Sequence, residues 1–442
     1  LNFGIIKIFK KWILVLVLPL SLEAANLDVT LMQKGEINDN NTLLLIGGIQ
    51  GDEPGGFLAA SLIGTKYQIT KGSVWIVPNL NFPSIISRSR GLSGDMNRKF
   101  AQIDTSDPDF KAVQLVKDLI TDGRVSLVLN LHDGSGFYRK EYINKYLNPY
   151  KWGNSCIIDQ EKLENSPYGN LAEIAHRVAK SINDNLQEDI HKYHVKNTQT
   201  ALGDKEMLKS LTYYAISQGK AAFANEASKS LNTHMRVYYH LLAIEEYMRI
   251  MNIEFVRDFE MSPEGVRQAI NSDIYVTIHN KQRIELDDTR HVINYVPMPK
   301  GEDLVFESSN PLTTIVKDEN GYYSVYYGNR RLTRLIPQYF DYNAKHDSVD
   351  VNIDGEVKRV KFGSFVRVNE YFNVIPDDSM RVNVIGYVNK KHKNESGLNI
   401  RKKYILKRFS VDKAGRIFRV EIYDNVQKDT FAGMFLVQFG DN

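Results

Sequence analysis

The sequence predicts an α/β fold, a mixed sheet flanked by helices, followed by two β-rich C-terminal modules. Between about residues 27 and 250, short apolar runs alternate with helical periodicity, which is the pattern of a mixed α/β domain. From about residue 265 the texture changes to alternating β-branched and aromatic residues broken by turn dipeptides, which is the pattern of strands and hairpins. At 442 residues the chain also exceeds the roughly 250–300 residues at which a single core stops growing. The remaining composition is ordinary: 43% hydrophobic and 25% charged residues argue against disorder and against a polytopic membrane protein. A net charge of +3 is too small to argue for a nucleic-acid partner.

Residues 1–25 read as a secretory signal. Lys7, Lys10 and Lys11 precede the apolar stretch 12–20, and the small residues Ala24 and Ala25 follow, so the mature chain is expected to begin near Ala25 or Asn26. The bland alternative is an uncleaved anchor, but the apolar stretch is short for a bilayer. Cys156 stands alone, which rules out an intramolecular disulfide and makes it a small core residue. A soluble protein of the Gram-negative periplasm fits both readings.

Residues 26–255 form the expected α/β domain. The runs 43–46, 74–77, 125–131 and 221–224 read as buried strands. Leu171, Ile174, Ala175, Val178 and Ile182 recur at helical spacing, as do apolar residues over 235–248. Residues 256–345 and 346–442 are the two β modules, with a boundary near 343–350. Asn320-Gly321 and Asp354-Gly355 supply the positive φ angles of two-residue hairpins. His191 and His194 in "HKYH" read as a solvated face. Lys390, Lys391 and Lys393 with Arg401, Lys402 and Lys403 read as the charged rim of a hairpin.

Four distant stretches each end a predicted strand with polar residues of catalytic type, where open α/β sheets place their sites. These are Gln50 and Glu53 on a turn with Gly51 and Gly55; "SRSRGLSGDMNRKF" with Arg88, Arg90, Asp95, Asn97 and Arg98; "LVLNLHDGSG" delivering His132; and "AAFANEAS" delivering Glu226. Taken in order, they resemble the zinc carboxypeptidase family, the funnelins, across nearly the whole first half. That family carries His-x-x-Glu, then Arg, then Asp-x-Asn-Arg, then His, then a late Glu, and here Gln50 replaces the first histidine.

The resemblance implies one Zn²⁺ held by Gln50, Glu53 and His132, with the fourth position left to water. It implies Glu226 as general base and acid, Arg90 (or Arg88, one register away) polarising the scissile carbonyl, and Arg98 with Asn97 gripping the terminal carboxylate. Thr212, with Tyr213 and Tyr214, lies where the family has a substrate-closing segment. The aromatic run 137–152 reads as loop packing or a pocket wall. A glutamine oxygen is neutral like imidazole but a harder, weaker donor, so affinity for zinc should fall. Asp95 is expected to accept a hydrogen bond from the Gln50 amide and turn its oxygen toward the metal.

The Gln departure, the leader and the β-rich half together resemble the cell-shape-determining peptidoglycan D,L-carboxypeptidases of helical Gram-negative bacteria. The resemblance implies cleavage of a muropeptide tripeptide between D-Glu and meso-diaminopimelate. It also implies an immunoglobulin-like sandwich among the C-terminal modules, which would offer docking faces to other cell-shape or cell-wall proteins. The runner-up is a catalytically silent module that binds peptidoglycan peptides; Gln50 favours it and Glu226 opposes it.

Overall fold

The apolar runs of the first half assemble into one sheet. Seven strands, β1 (Met32–Gly35), β2 (Thr42–Ile46), β3 (Ser73–Val77), β4 (Val125–Gly134), β5 (Ser155–Ile158), β6 (His194–Asn197) and β7 (Ala221–Ser228), lie in the order β6-β5-β7-β4-β2-β3-β1. The computed structural model describes residues 23–25, 27–36, 38–203, 205–342, 345–388, 394–425 and 430–440. β3, β2, β4 and β7 are mutually parallel, while β1 and β5 run antiparallel to β3 and β7. The helices Pro54–Lys66, Phe110–Thr121, Leu171–Asn183 and Thr233–Ile250 pack on this sheet. With both faces covered, the central strands are free to be apolar throughout, and every residue of β2 and β3 is buried.

Helix Leu171–Asn183 buries Leu171, Ala175, Val178 and Ile182, one stripe of a 3.6-residue period. Helix Thr233–Ile250 is buried continuously from Val237 to Met248, because it is wedged between Pro54–Lys66, Leu171–Asn183 and a further helix, Pro263–Ile270. That last helix opens the region expected to be β-rich.

The strands Thr313–Lys317, Tyr323–Tyr327 and Arg330–Tyr342 then form an antiparallel meander. Their apolar side chains join those of the α/β sheet, so a continuous core runs from Leu43 to Leu335 and beyond. At the meander's turn Gly328 adopts φ +53°, and a Cβ there would lie 2.8 Å from the Phe57 ring. Nearby, Ser61 donates a 2.9 Å hydrogen bond to Asn310 Oδ1. In the C-terminal region Ser348–Ile353, Glu356–Lys361 and Phe372–Val374 form one sheet, and Phe365–Val368, Met380–Val384, Ile417–Asp424 and Thr430–Phe439 belong to the other. Val351 and Phe372 from the first meet Val420 and Phe435 from the second in a separate core, the arrangement of a β-sandwich. Asp354 and Gly355 both carry positive φ at their hairpin.

Several sequence expectations meet a different structure. His191 is buried, with Nδ1 2.9 Å from the Tyr239 hydroxyl and its ring stacked on Phe137. His194 is half-buried in β6, and desolvation depresses its pKa to about 4. The pair is therefore internal packing, and no solvated face. Lys402 and Lys403 lie on a short 3-10 turn, Lys402–Tyr404, instead of a hairpin rim; Lys390, Lys391 and Lys393 lie outside the described residues. The expected leader does too, apart from Glu23–Ala25, which pairs with Thr313–Lys317. Cys156 is fully buried in β5, its Sγ 3.6 Å from Asn225 Oδ1.

Candidate active site

The C-terminal ends of β2, β4 and β7 lie side by side and open on a cavity of about 300 Å³. β2 leads into the turn that carries Gln50 and Glu53, and the helix Pro54–Lys66 starts immediately after it. That sharp exit depends on close backbone packing: a Cβ on Gly51 would lie 2.0 Å from the Ser84 backbone, and one on Gly55 would lie 2.3 Å from Asp133 Oδ1. β4 delivers His132 and β7 delivers Glu226, and the two residues are register partners on neighbouring strands.

Gln50, Glu53 and His132 are all buried. His132 Nδ1 lies 2.9 Å from Gln50 Oε1 and 3.0 Å from Glu53 Oε2. Three lone-pair-bearing atoms thus converge on one point, a grouping that needs a proton or a cation at its centre. Burial disfavours the charged imidazole, but the Glu53 carboxylate outweighs it and raises the His132 pKa. Among the described residues no trio of His, Cys, Asp and Glu side chains gathers to hold an ion; beside Glu53 and His132 the third donor atom here is the Gln50 amide oxygen.

The far side of the imidazole supports this. Asn130 Nδ2 lies 2.8 Å from His132 Nε2, while Asn130 Oδ1 is buried with no partner. Exchanging the amide's oxygen and nitrogen, which are assigned by network and not by shape, gives that orphaned acceptor the Nε2 proton. It also leaves a bare lone pair on Nδ1, facing Gln50 and Glu53. The residues present therefore fit a divalent cation of the zinc class.

Asp95 stands behind Gln50. It accepts from Gln50 Nε2 at 2.8 Å, from the Asn97 backbone at 3.0 Å and from Arg90 Nε at 3.0 Å. Burial would raise the Asp95 pKa, yet the hydrogen bond from Gln50 and the Arg90 charge hold it below the ordinary value. Arg90 Nη1 also reaches Glu53 Oε1 at 3.5 Å. Arg88, in contrast, has φ +53° and donates to Asn329 O at 2.7 Å, across to the meander turn. Of these two arginines it is Arg90 that faces the cavity.

Arg98, Asn97 and Thr212 line the same cavity. Asn97 Oδ1 accepts from the Leu211 backbone at 3.0 Å, tying this wall to the helix Leu211–Ser217 that carries Thr212. Tyr214 packs against Phe100 instead. Glu226 Oε2 is enclosed without a partner. Burial raises its pKa to about 7, against the opposing pull of His132 and with help from Glu53 and Asp133.

Sequence reasoning missed two contributors, Asn130 and Lys229. Asn130 lies two residues before His132, hence on the same face of β4, a signal that was readable. Trp152, at the end of the aromatic run that the sequence offered as a pocket wall, lines the cavity. Lys229, one residue beyond β7, places Nζ 2.6 Å from Asp52 and 3.5 Å from Glu53 Oε1, and nothing local in the sequence marks it.

A mixed sheet whose parallel central strands deliver this donor set, a paired arginine and an enclosed glutamate at adjacent ends defines a metallocarboxypeptidase. The comparisons with known proteins agree. Residues 8–271 match the catalytic region of the carboxypeptidases controlling helical cell shape, and residues 342–440 match the C-terminal domain of metallo-carboxypeptidase; the chain belongs to this family.

Among solved structures it is similar to the cell shape determinant protein Csd4 from Helicobacter pylori. The tripeptide-bound form is 42% identical, with TM-score 0.84, over 93% of this chain and 100% of that one. The mDAP-bound form, described as a D,L-carboxypeptidase, is 42% identical with TM-score 0.85 over 92% and 100%. A Csd4 variant with a glutamine exchanged for histidine is 43% identical with TM-score 0.84 over 93% and 100%. No curated protein matches the chain.

Proposed function

We propose that the protein is an exported, zinc-dependent D,L-carboxypeptidase that cleaves muropeptide tripeptides between D-Glu and meso-diaminopimelate, and so contributes to helical cell shape. The observation that carries this reading is the approach of Gln50 Oε1 and Glu53 Oε2 to His132 Nδ1, at 2.9 and 3.0 Å, with Glu226 in register beside His132. The tripeptide and mDAP held by the Csd4 structures supply the substrate chemistry. Periplasmic location follows from the leader-like first 25 residues, and the C-terminal β regions offer faces to other cell-wall proteins.

A zinc ion held by Gln50, Glu53 and His132 would supply Lewis acidity to water and to the scissile carbonyl. Arg98, with Asn97, would hold the terminal carboxylate of diaminopimelate in its planar fork. Arg90, anchored by Asp95, would direct its guanidinium at the carbonyl oxygen as negative charge develops there. Glu226 would take a proton from water and pass it to the departing amine. Its pKa of about 7 suits both halves of that task, since transfer is best near the working pH.

The test is metal analysis of chelator-free protein together with release of diaminopimelate from muramyl tripeptide. Expected are near one zinc per chain, turnover by the wild type and none by Glu226→Ala. An empty centre, or release undiminished by Glu226→Ala, would sink the proposal.

A further inference from the structure

Arg90, Arg98 and Lys229 bring positive charge to the cavity wall. The proposed mechanism uses the first two and leaves Lys229 without a task. Glu53 Oε1 lies 3.5 Å from Arg90 Nη1 and 3.5 Å from Lys229 Nζ, so the two cations share one carboxylate oxygen. The other oxygen of Glu53 faces His132 Nδ1 at 3.0 Å. Lys229 therefore stands one carboxylate away from the donor cluster, whereas Arg98 lies on the wall shared with Met207 and Thr212.

Lys229 is also built to stay there. Its backbone N–H donates to Gly134 O at 2.7 Å, and its ammonium is held by Asp52 at 2.6 Å. The side chain remains 31% exposed. An ammonium has three donors, and a compact charge on a flexible stem adapts to an incoming carboxylate.

We infer that Lys229 is a second carboxylate-binding residue, which reads the acyl side of the scissile bond by holding the free α-carboxylate of a γ-linked D-glutamyl residue. The inference rests on the peptidase reading above and specifies its substrate class. In a stem peptide D-Glu is joined to diaminopimelate through its γ-carboxyl, so its α-carboxylate stays free. That group lies four bonds from the scissile carbonyl carbon, at most roughly 5 Å away. The reach is comparable to the width of the Glu53 carboxylate plus one ion-pair contact. A peptide with a neutral residue on this side offers Lys229 no anion, so the lysine would select an acyl residue that carries a free carboxylate four bonds from the scissile carbonyl.

The experiment compares two synthetic substrates on the zinc-loaded full chain: L-Ala-γ-D-Glu-diaminopimelate and its counterpart with D-isoglutamine, whose α-carboxyl is a neutral amide. The wild type should lose roughly ten- to a hundredfold in kcat/KM on the amide, the scale of one charge-assisted hydrogen bond. Lys229→Met should turn over both substrates at one reduced rate with zinc content unchanged, and Lys229→Arg should restore the preference.

Equal rates by the wild type, or a preference that survives Lys229→Met, would overturn the inference while leaving the peptidase reading intact. Absence of turnover on both substrates would overturn the two together. If Lys229→Met does not fold, inhibition of the wild type by the dipeptide L-Ala-γ-D-Glu should be about tenfold tighter than by its isoglutamine form; equal inhibition overturns the assignment.

Discussion

Gln50 is the residue on which the site turns, and its contacts show why an amide can stand where imidazole is expected. Its Nε2 is spent on Asp95 at 2.8 Å, which leaves Oε1 to face His132 and Glu53. Asp95→Ala frees the Gln50 amide to rotate and releases Arg90, so metal affinity should fall roughly 10–100-fold, read by competition with a chromophoric chelator. Glu226 carries a cost of a different kind. Its folded-state pKa of about 7 lies above the ordinary 4.5, so the folded protein binds this proton more tightly than the unfolded chain. Its contribution is fully present below about pH 4.5 and is lost as pH rises through 7. In metal-stripped protein Glu226→Gln should therefore be more stable than wild type at pH 8, by on the order of 3 kcal/mol, with no difference near pH 4. Urea melts at both pH values check this. Gln50, Glu53, His132 and Glu226 are legible in the sequence because each follows an apolar run that can only be a buried strand. Lys229 is not legible, because its place depends on Asp52, which only the assembled sheet brings to it.

At the scale of elements, the strand-to-helix turn after β2 is the critical joint. Gly55 donates its N–H to Asp133 Oδ2 at 2.8 Å, and a side chain there would collide with the same carboxylate. Gly55→Val should cost about 1–3 kcal/mol through overpacking and displace Glu53, so both thermal midpoint and turnover should drop. A Gly55→Val protein that melts like the wild type would show that this joint has slack. The central strands are legible because helices cover both faces and permit unbroken apolar runs. The edges are harder. β1 alternates half-buried and exposed residues, so it makes no run. β6 is four residues long, and its neighbourhood hides His191 because the Phe137 and Tyr239 rings that enclose it come from distant segments.

At the scale of the whole molecule, the composition shift near residue 265 marks a change of secondary structure and no break in the core. The meander touches the α/β region through Phe57, Ser61 and Arg88, the last on the loop that carries Arg90. Truncation after residue 255 should expose that shared core and give insoluble chains. Removal of 346–442 takes away the second core together with Tyr423, Phe431 and Leu436 of the first, a smaller loss that should leave turnover measurable, as soluble expression and product release would show. Alternation of residue types reports strands reliably, but it cannot report which sheet they cover. Cys156 offers a practical handle on all of these variants. Its thiol sits in the sheet between β6 and β7, where burial pushes its pKa up and no reagent reaches it until the sheet opens. A thiol-reactive dye should thus stay silent on the native enzyme and label one site per chain as it unfolds, making the rate of labelling a direct clock for global opening without any engineered probe.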